Sequence, residues 1–188
     1  MNLVNQHGAV AGGDVVAGDK VVTVNNYAVQ PGQSPKIRVL MEKLAQEHAA
    51  GMISDAVIEE LTDFYKRIPD DAVVGLEAKL QRAGRDAELI QALAKKERFA
   101  KLLERWSLYG SAQEIFVHIL AMVDHRYSTR VLPQVDVLSP HQLDRVVEDE
   151  IITPLIEMVG ADVFSMNHHS AMGMIYWLAE QCRVRWHS

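Results

Sequence analysis

A single cysteine, Cys182, stands in 188 residues, so no disulfide can close within the chain and a reducing compartment fits best. Aromatic residues make up only 6%, and no apolar run approaches the roughly 20 residues of a membrane span. Positive charge is also short. Lys and Arg number 19 against 25 Asp and Glu, a net charge of -6. That balance weighs against a general nucleic-acid binder, which needs a basic surface to displace counterions from phosphates. The opening stretch Met1–His7 has neither a cationic nor an apolar leader region, so no secretory signal is expected and a cytoplasmic location is the default. What remains is 48% hydrophobic and 23% charged, the balance of a globular chain large enough to bury a core without disulfide or metal staples.

Composition divides the chain near residue 33. Residues 1–33 hold Gly8, Gly12, Gly13, Gly18 and Gly32 among many valines, with few helix formers. They contain an imperfect repeat in which Gly13-Asp14-Val15-Val16 is followed five residues later by Gly18-Asp19-Lys20-Val21-Val22. Gly-Asp pairs favour tight turns and the valines between them favour extended structure. Such short units cannot bury a core by themselves. The arm is therefore either disordered or paired, and copies of itself in neighbouring subunits are the economical partner. Gly13, Asp14, Val15, Val16, Gly18, Asp19, Lys20, Val21 and Val22 are the candidate self-association residues.

From Ser34 the pattern turns helical, which predicts a mainly α fold: a multi-helix bundle behind a short β-type arm. Ser34-Pro35 reads as an N-cap with proline in the first turn, and Gly51 as the end of that helix. Ser54 is expected to open a second helix through Val57, Ile58, Leu61, Phe64 and Tyr65, and Asp70 to cap a third carrying Val73, Leu76 and Leu80. A longer fourth runs from Asp86 to Trp106 with Lys95, Lys96, Glu97 and Arg98 on its solvated side. Ser111-Ala112-Gln113-Glu114 and Ser139-Pro140-His141-Gln142 both read as capping boxes. Pro154 falls inside the sixth helical pattern and predicts a kink or break. Asn167 precedes a last, nearly apolar helix through Trp177. Cys182-Arg183-Val184-Arg185-Trp186 then alternates like a short extended C-terminal strand. Three regions follow: the arm 1–33, a helical region 34–110 of unassigned role, and a helical docking domain 111–188.

No set of residues amounts to an active site. The stretch from Gly13 to Val21 has the look of a phosphate-binding loop, but Asp19 puts negative charge where phosphates would sit and Val21 replaces the required hydroxyl. His168 and His169, with Asp162, Asp124 and His125 as conceivable partners, are the metal candidates; adjacent histidines diverge by about 100° on a helix, whereas ligand pairs sit four apart. Glu148, Asp149 and Glu150 read as a solvated carboxylate run, and Cys182 as a structural thiol rather than a nucleophile. Arg183, Arg185 and Trp186 form a strip too small to claim nucleic acid. Trp177 suits the core, and Trp186, so near the end, an interface. No catalytic residue, metal ligand or cofactor is expected.

Two stretches carry a family resemblance. The Gly-Asp repeat resembles short β-motifs preceding effector or assembly domains in prokaryotic conflict proteins. The C-terminal pattern is similar to the C-terminal helical domains of ABC-three-component systems, to which the Lamassu defence family belongs. It comprises Leu143-Asp144-Arg145-Val146-Val147-Glu148-Asp149-Glu150-Ile151, then Met172-Gly173-Met174-Ile175-Tyr176-Trp177-Leu178, then Cys182 to Trp186. The resemblance implies a docking or adaptor subunit, homo-oligomeric, with an SMC-like ABC ATPase and an effector subunit as partners. Asp144, Arg145, Arg183, Arg185 and Trp186 are the docking candidates. Family members usually carry an effector ahead of this domain, and residues 34–110 lack the clustered acids and lysine of a restriction-type nuclease. A small metal-dependent enzyme and a nucleic-acid-associated regulator are the competing functional classes.

Overall fold

The computed structural model describes residues 34–68, 72–160 and 164–187. The arm and all of its self-association candidates lie outside the described residues, as do Asp70 and Asp162. Among the described residues the architecture is helical, with no strand.

Helix α1 spans Pro35–Ala50 and starts and stops as its punctuation predicts. Ser34 is extended, Pro35 occupies the first turn, and Gly51 takes the left-handed conformation at φ 64° that a side chain would resist. Ile37, Leu40, Met41 and Leu44 form its buried face against α5, which spans Gly110–Arg126. Helix α2 is shorter than expected, Glu59–Tyr65. Ser54 does not open it. Its hydroxyl bonds the Ala56 carbonyl at 2.8 Å and its N–H bonds the Leu108 carbonyl at 2.7 Å. Those commitments hold residues 54–58 out of helix and leave Val57 51% exposed, while Leu61 and Phe64 are buried.

Helix α3, Leu76–Arg82, leads through a 3-10 turn at Asp86–Glu88 into α4, Leu89–Trp106. The expected capping box at Ser111 does not form, because Ser111 and Gln113 lie inside α5 and are spent on other elements. The Glu47 carboxylate of α1 accepts from the Ser111 hydroxyl at 2.5 Å and from its N–H at 3.2 Å. The Gln113 amide accepts from Ile58 N–H at 2.8 Å and donates to the Ala56 and Ser107 carbonyls at 3.0 and 2.8 Å. Both N–H donors and the carbonyl oxygen of a buried carboxamide thereby have partners.

The second capping box does form at α6, Pro140–Val147, with Ser139 N–H donating to Gln142 Oε1 at 3.0 Å. The break expected at Pro154 takes a particular form. A π-type turn at Glu148–Ile152 precedes α7, Thr153–Val159, whose first turn holds the proline where its missing N–H costs nothing. Helix α5 ends in the same way, with a π-type turn at Tyr127–Val131 followed by a 3-10 turn containing Pro133.

Helix α8, His168–Glu180, is capped by Asn167, which accepts from His169 and Ser170 N–H. It makes its most extensive contact with α4. Gly173 permits that contact: a Cβ there would lie 2.3 Å from the Lys95 carbonyl oxygen, well inside van der Waals range. Beyond α8 the expected terminal strand is absent. Cys182 adopts φ 62°, its N–H bonds Ala179, and Arg183 N–H bonds Leu178, a Schellman ending that turns the chain away. Val184 and Trp186 are buried as the alternation suggested, but side chains stand in for a ladder: Lys79 Nζ donates to the Val184 carbonyl at 2.8 Å and Tyr127 to that of Arg185 at 3.1 Å. One hydrophobic core draws on both sides of residue 110, including Leu44, Phe99, Phe116 and Ile175.

Candidate docking cleft

Two of the five docking candidates meet at a residue that sequence reasoning did not single out. Arg85 follows α3, and its side chain is only 6% exposed. Its Nε donates to Glu88 Oε1 at 2.8 Å, its Nη2 to Asp144 of α6, and its guanidinium lies 5.9 Å from the Trp186 ring centre. Burial works against the charge, but the bonds to Asp144 and Glu88 outweigh it and hold Arg85 above the ordinary arginine pKa. Trp186 itself, expected at an interface, is 5% exposed and packs on Tyr127 and Tyr176. Burial, reinforced by the Glu88 carboxylate 3.5 Å away, pushes the Tyr176 hydroxyl up to about 12.

Beside this cluster opens a cavity of about 300 Å³. Its polar lining comes from Arg85, Lys95, Asp144, Glu148, His168 and His169, and Val147, Ile152, Met172 and Tyr176 supply the rest. Four elements converge here: the turn before α4, α4 itself, α6 with its π-type turn, and the first turns of α8. His168 Nε2 lies 3.1 Å from Glu148 Oε1, joining α8 to the π-type turn.

The remaining candidates are placed elsewhere. Arg183 ties the tail inward, reaching Asp124 at 3.2 Å and the Asp63 carbonyl at 2.8 Å with its guanidinium 4.6 Å from the Phe64 ring centre. Burial raises the Asp124 carboxyl above its usual range even though Arg183 pulls it down. Arg185 is half-buried, and Arg145 is exposed on α6. The conceivable metal ligands disperse: Asp124 goes to Arg183 and His168 to Glu148. Among the described residues no three of His, Cys, Asp and Glu gather into a cation site.

The family model for C-terminal domain 9 of the ABC-three-component systems matches residues 75–186. The chain belongs to that family. The cleft, α4, α8 and the buried tail all lie within the match, whereas α1 and α2 precede it. C-terminal domain 9 is therefore carried here as part of a multi-component prokaryotic conflict system, and protein partners follow from that membership. No curated protein and no solved structure matches the chain significantly. Among the described residues no helix is long and apolar enough to cross a membrane.

Several polar residues that organise this region escape sequence reading. Arg85 and Asp144 are 59 positions apart, and nothing local marks them as partners. Glu180 closes α8 as a hub: it accepts from Arg67 at 2.8 Å, Lys96 at 3.2 Å and the Leu76 N–H at 3.2 Å, thereby capping α3. Burial would raise its pKa, but those donors outweigh burial and hold it below the usual carboxylate range. Lys95 reads as part of a solvated stripe, yet it faces the cleft. Gln113 carried a legible signal, since an amide among Ile115, Phe116 and Ile119 needs buried partners, but the serine before it suggested a cap instead.

Proposed function

We propose that this chain is a non-catalytic assembly subunit of an ABC-three-component defence complex, docking through its helical domain and self-associating through residues 1–33. Membership of the C-terminal domain 9 family carries the reading. The side chains best suited to chemistry support it, because Arg85, Asp124, Arg183, Glu180 and Glu47 are engaged in joining one helix to another. Groups held in place this way stabilise a fixed surface rather than move protons. Its partners in this reading are the ATPase and effector components of the same system, with anti-phage activity belonging to the whole complex.

The test is light scattering after size exclusion on the full chain and on a version lacking residues 1–33, each with and without the other components of its system. A defined oligomer for the full chain, a folded monomer for the truncation and a mixed complex for both support the reading. Two monomers that form no complex with any component sink it.

A further inference from the structure

We infer that residues 20–24 of the arm dock on an exposed apolar patch at the far end of α1 in the same chain. Two segments build the patch. Met52, Ile53 and Val57 lie between α1 and α2, and Leu108 follows α4; each is between 51% and 63% exposed. Hydrogen bonds draw the segments together. Ser54 N–H donates to the Leu108 carbonyl at 2.7 Å, and Gln113 Nε2 bridges the Ala56 and Ser107 carbonyls. Four of the eleven large apolar side chains left exposed among the described residues therefore share one place. A lone exposed leucine is ordinary, but a cluster marks a contact surface.

Three observations choose the occupant. The first is reach. The arm joins α1 at Ser34 and the patch begins just past Gly51, the other end of a 16-residue helix about 24 Å long. The nine residues 25–33 span up to about 30 Å. Pro31-Gly32, a turn-forming pair, stands where the chain must double back. That brings Val21, Val22 and Val24 to the patch, and a short tether to the same chain keeps even a weak contact populated. The second is charge. Asp55, Glu59 and Glu60 are exposed beside the patch and residues 51–60 hold no cation, whereas residues 20–33 hold Lys20 and no acid. The same carboxylates disfavour two copies pairing patch to patch, because like charges would meet. The third is position. Met52, Ile53 and Val57 precede the residues matched by the family model, so a partner recognised by the family at large does not account for them. The contact leaves residues 13–19 to the self-association proposed above, and the two ideas are tested separately.

Methyl NMR of the full chain, read at Met52 and Ile53 with the exposed Ile90 as bystander, tests the contact. The triple variant Val21→Asp, Val22→Asp, Val24→Asp should shift Met52 and Ile53 and leave Ile90 unmoved, and the wild-type positions should persist on dilution. A free acetylated and amidated peptide of residues 20–25, added to that variant, should restore the wild-type positions at or below about 1 mM, the effective concentration that a short tether supplies. No change at Met52 and Ile53 in the variant overturns the inference, and so does a peptide that needs far more than that. Wild-type positions lost on dilution also overturn it, by giving the patch to the arm of another copy. Light scattering keeps the two ideas apart. A monomer that shows the contact upholds it while sinking the self-association, and an oligomer whose Met52 ignores the triple variant sinks the contact alone.

Discussion

The contact of α8 on α4 and the contact of residues 34–68 on α5 hold helices together by opposite means. The first is dry. Phe99 and Trp177 meet edge to face with ring centres 5.9 Å apart, and Gly173 brings the α8 backbone against the Lys95 carbonyl. The second adds to an apolar α1 face two buried polar residues with named acceptors and donors, Glu47 on Ser111 and Gln113 on residues 56, 58 and 107. A dry seam is specified by a missing atom and fails when volume is added. A polar seam is specified by partners and fails when one is removed, because a buried group left unsatisfied keeps its full desolvation cost. The dry seam lies inside the family match, whereas most of the polar one involves residues that precede it.

Breaking the dry seam should give the largest effect. Gly173→Ala gains helix propensity, worth at most about 1 kcal/mol, but its methyl has no room, and overpacking should leave a net loss of about 2–3 kcal/mol. A urea melt reads it, and an unchanged midpoint would mean that the close approach does not control the seam. Gln113→Leu keeps the apolar volume and removes the partners of Ile58 N–H and two carbonyls, at about 2 kcal/mol. Hydrogen exchange should then quicken across residues 52–58 while α8 amides keep their protection; equal quickening in both would erase the distinction between the seams. The smallest change goes the other way. Cys182→Gly relieves a side chain from the left-handed region at the end of α8 and should stabilise by about 0.5–1 kcal/mol after the glycine's entropy in the unfolded chain is charged against it. A melt that falls instead would show that the thiol contributes more than its backbone costs.

Much of the helical fold was legible because helix ends are local. Ser34-Pro35, Ser139-Pro140 and Asn167 start helices where the chain says they should, and Gly51 stops the first of them. The misreadings share one cause. Ser111 has the chemistry of a cap, but a side chain offered both a local and a distant partner takes the distant one when burial makes it worth more, and at Ser54 it is the backbone N–H that is committed at a distance, to the Leu108 carbonyl. The tail misled for a related reason: alternation reports which side chains are buried, not whether the backbone has a strand to pair with. Of the cleft, Asp144 was picked out on family grounds and His168 and His169 on chemical grounds. Arg85 and Lys95 were invisible, since their meaning arises only once α6 and α8 close over them.

The two π-type turns have a consequence for how these helices keep one face inward. Among the buried residues of the first run are Ile115, Ile119, Val123, Tyr127 and Val131, and among those of the second Leu143, Val147, Ile151, Leu155 and Val159, each four residues after the last. On a regular α-helix a strict four-residue repeat drifts by about 40° per step, so the fifth residue would point about 160° away from the first. A π-type turn holds more residues per revolution and runs that drift backward. Each run contains one, at 127–131 and at 148–152, and Arg126 Nη1 bonds the Glu150 carbonyl between them at 2.8 Å. The pair acts as a phase corrector, so these helices count in fours where ordinary helices alternate threes and fours, and a residue lost from either turn would rotate everything downstream of it, the wall of the cleft included.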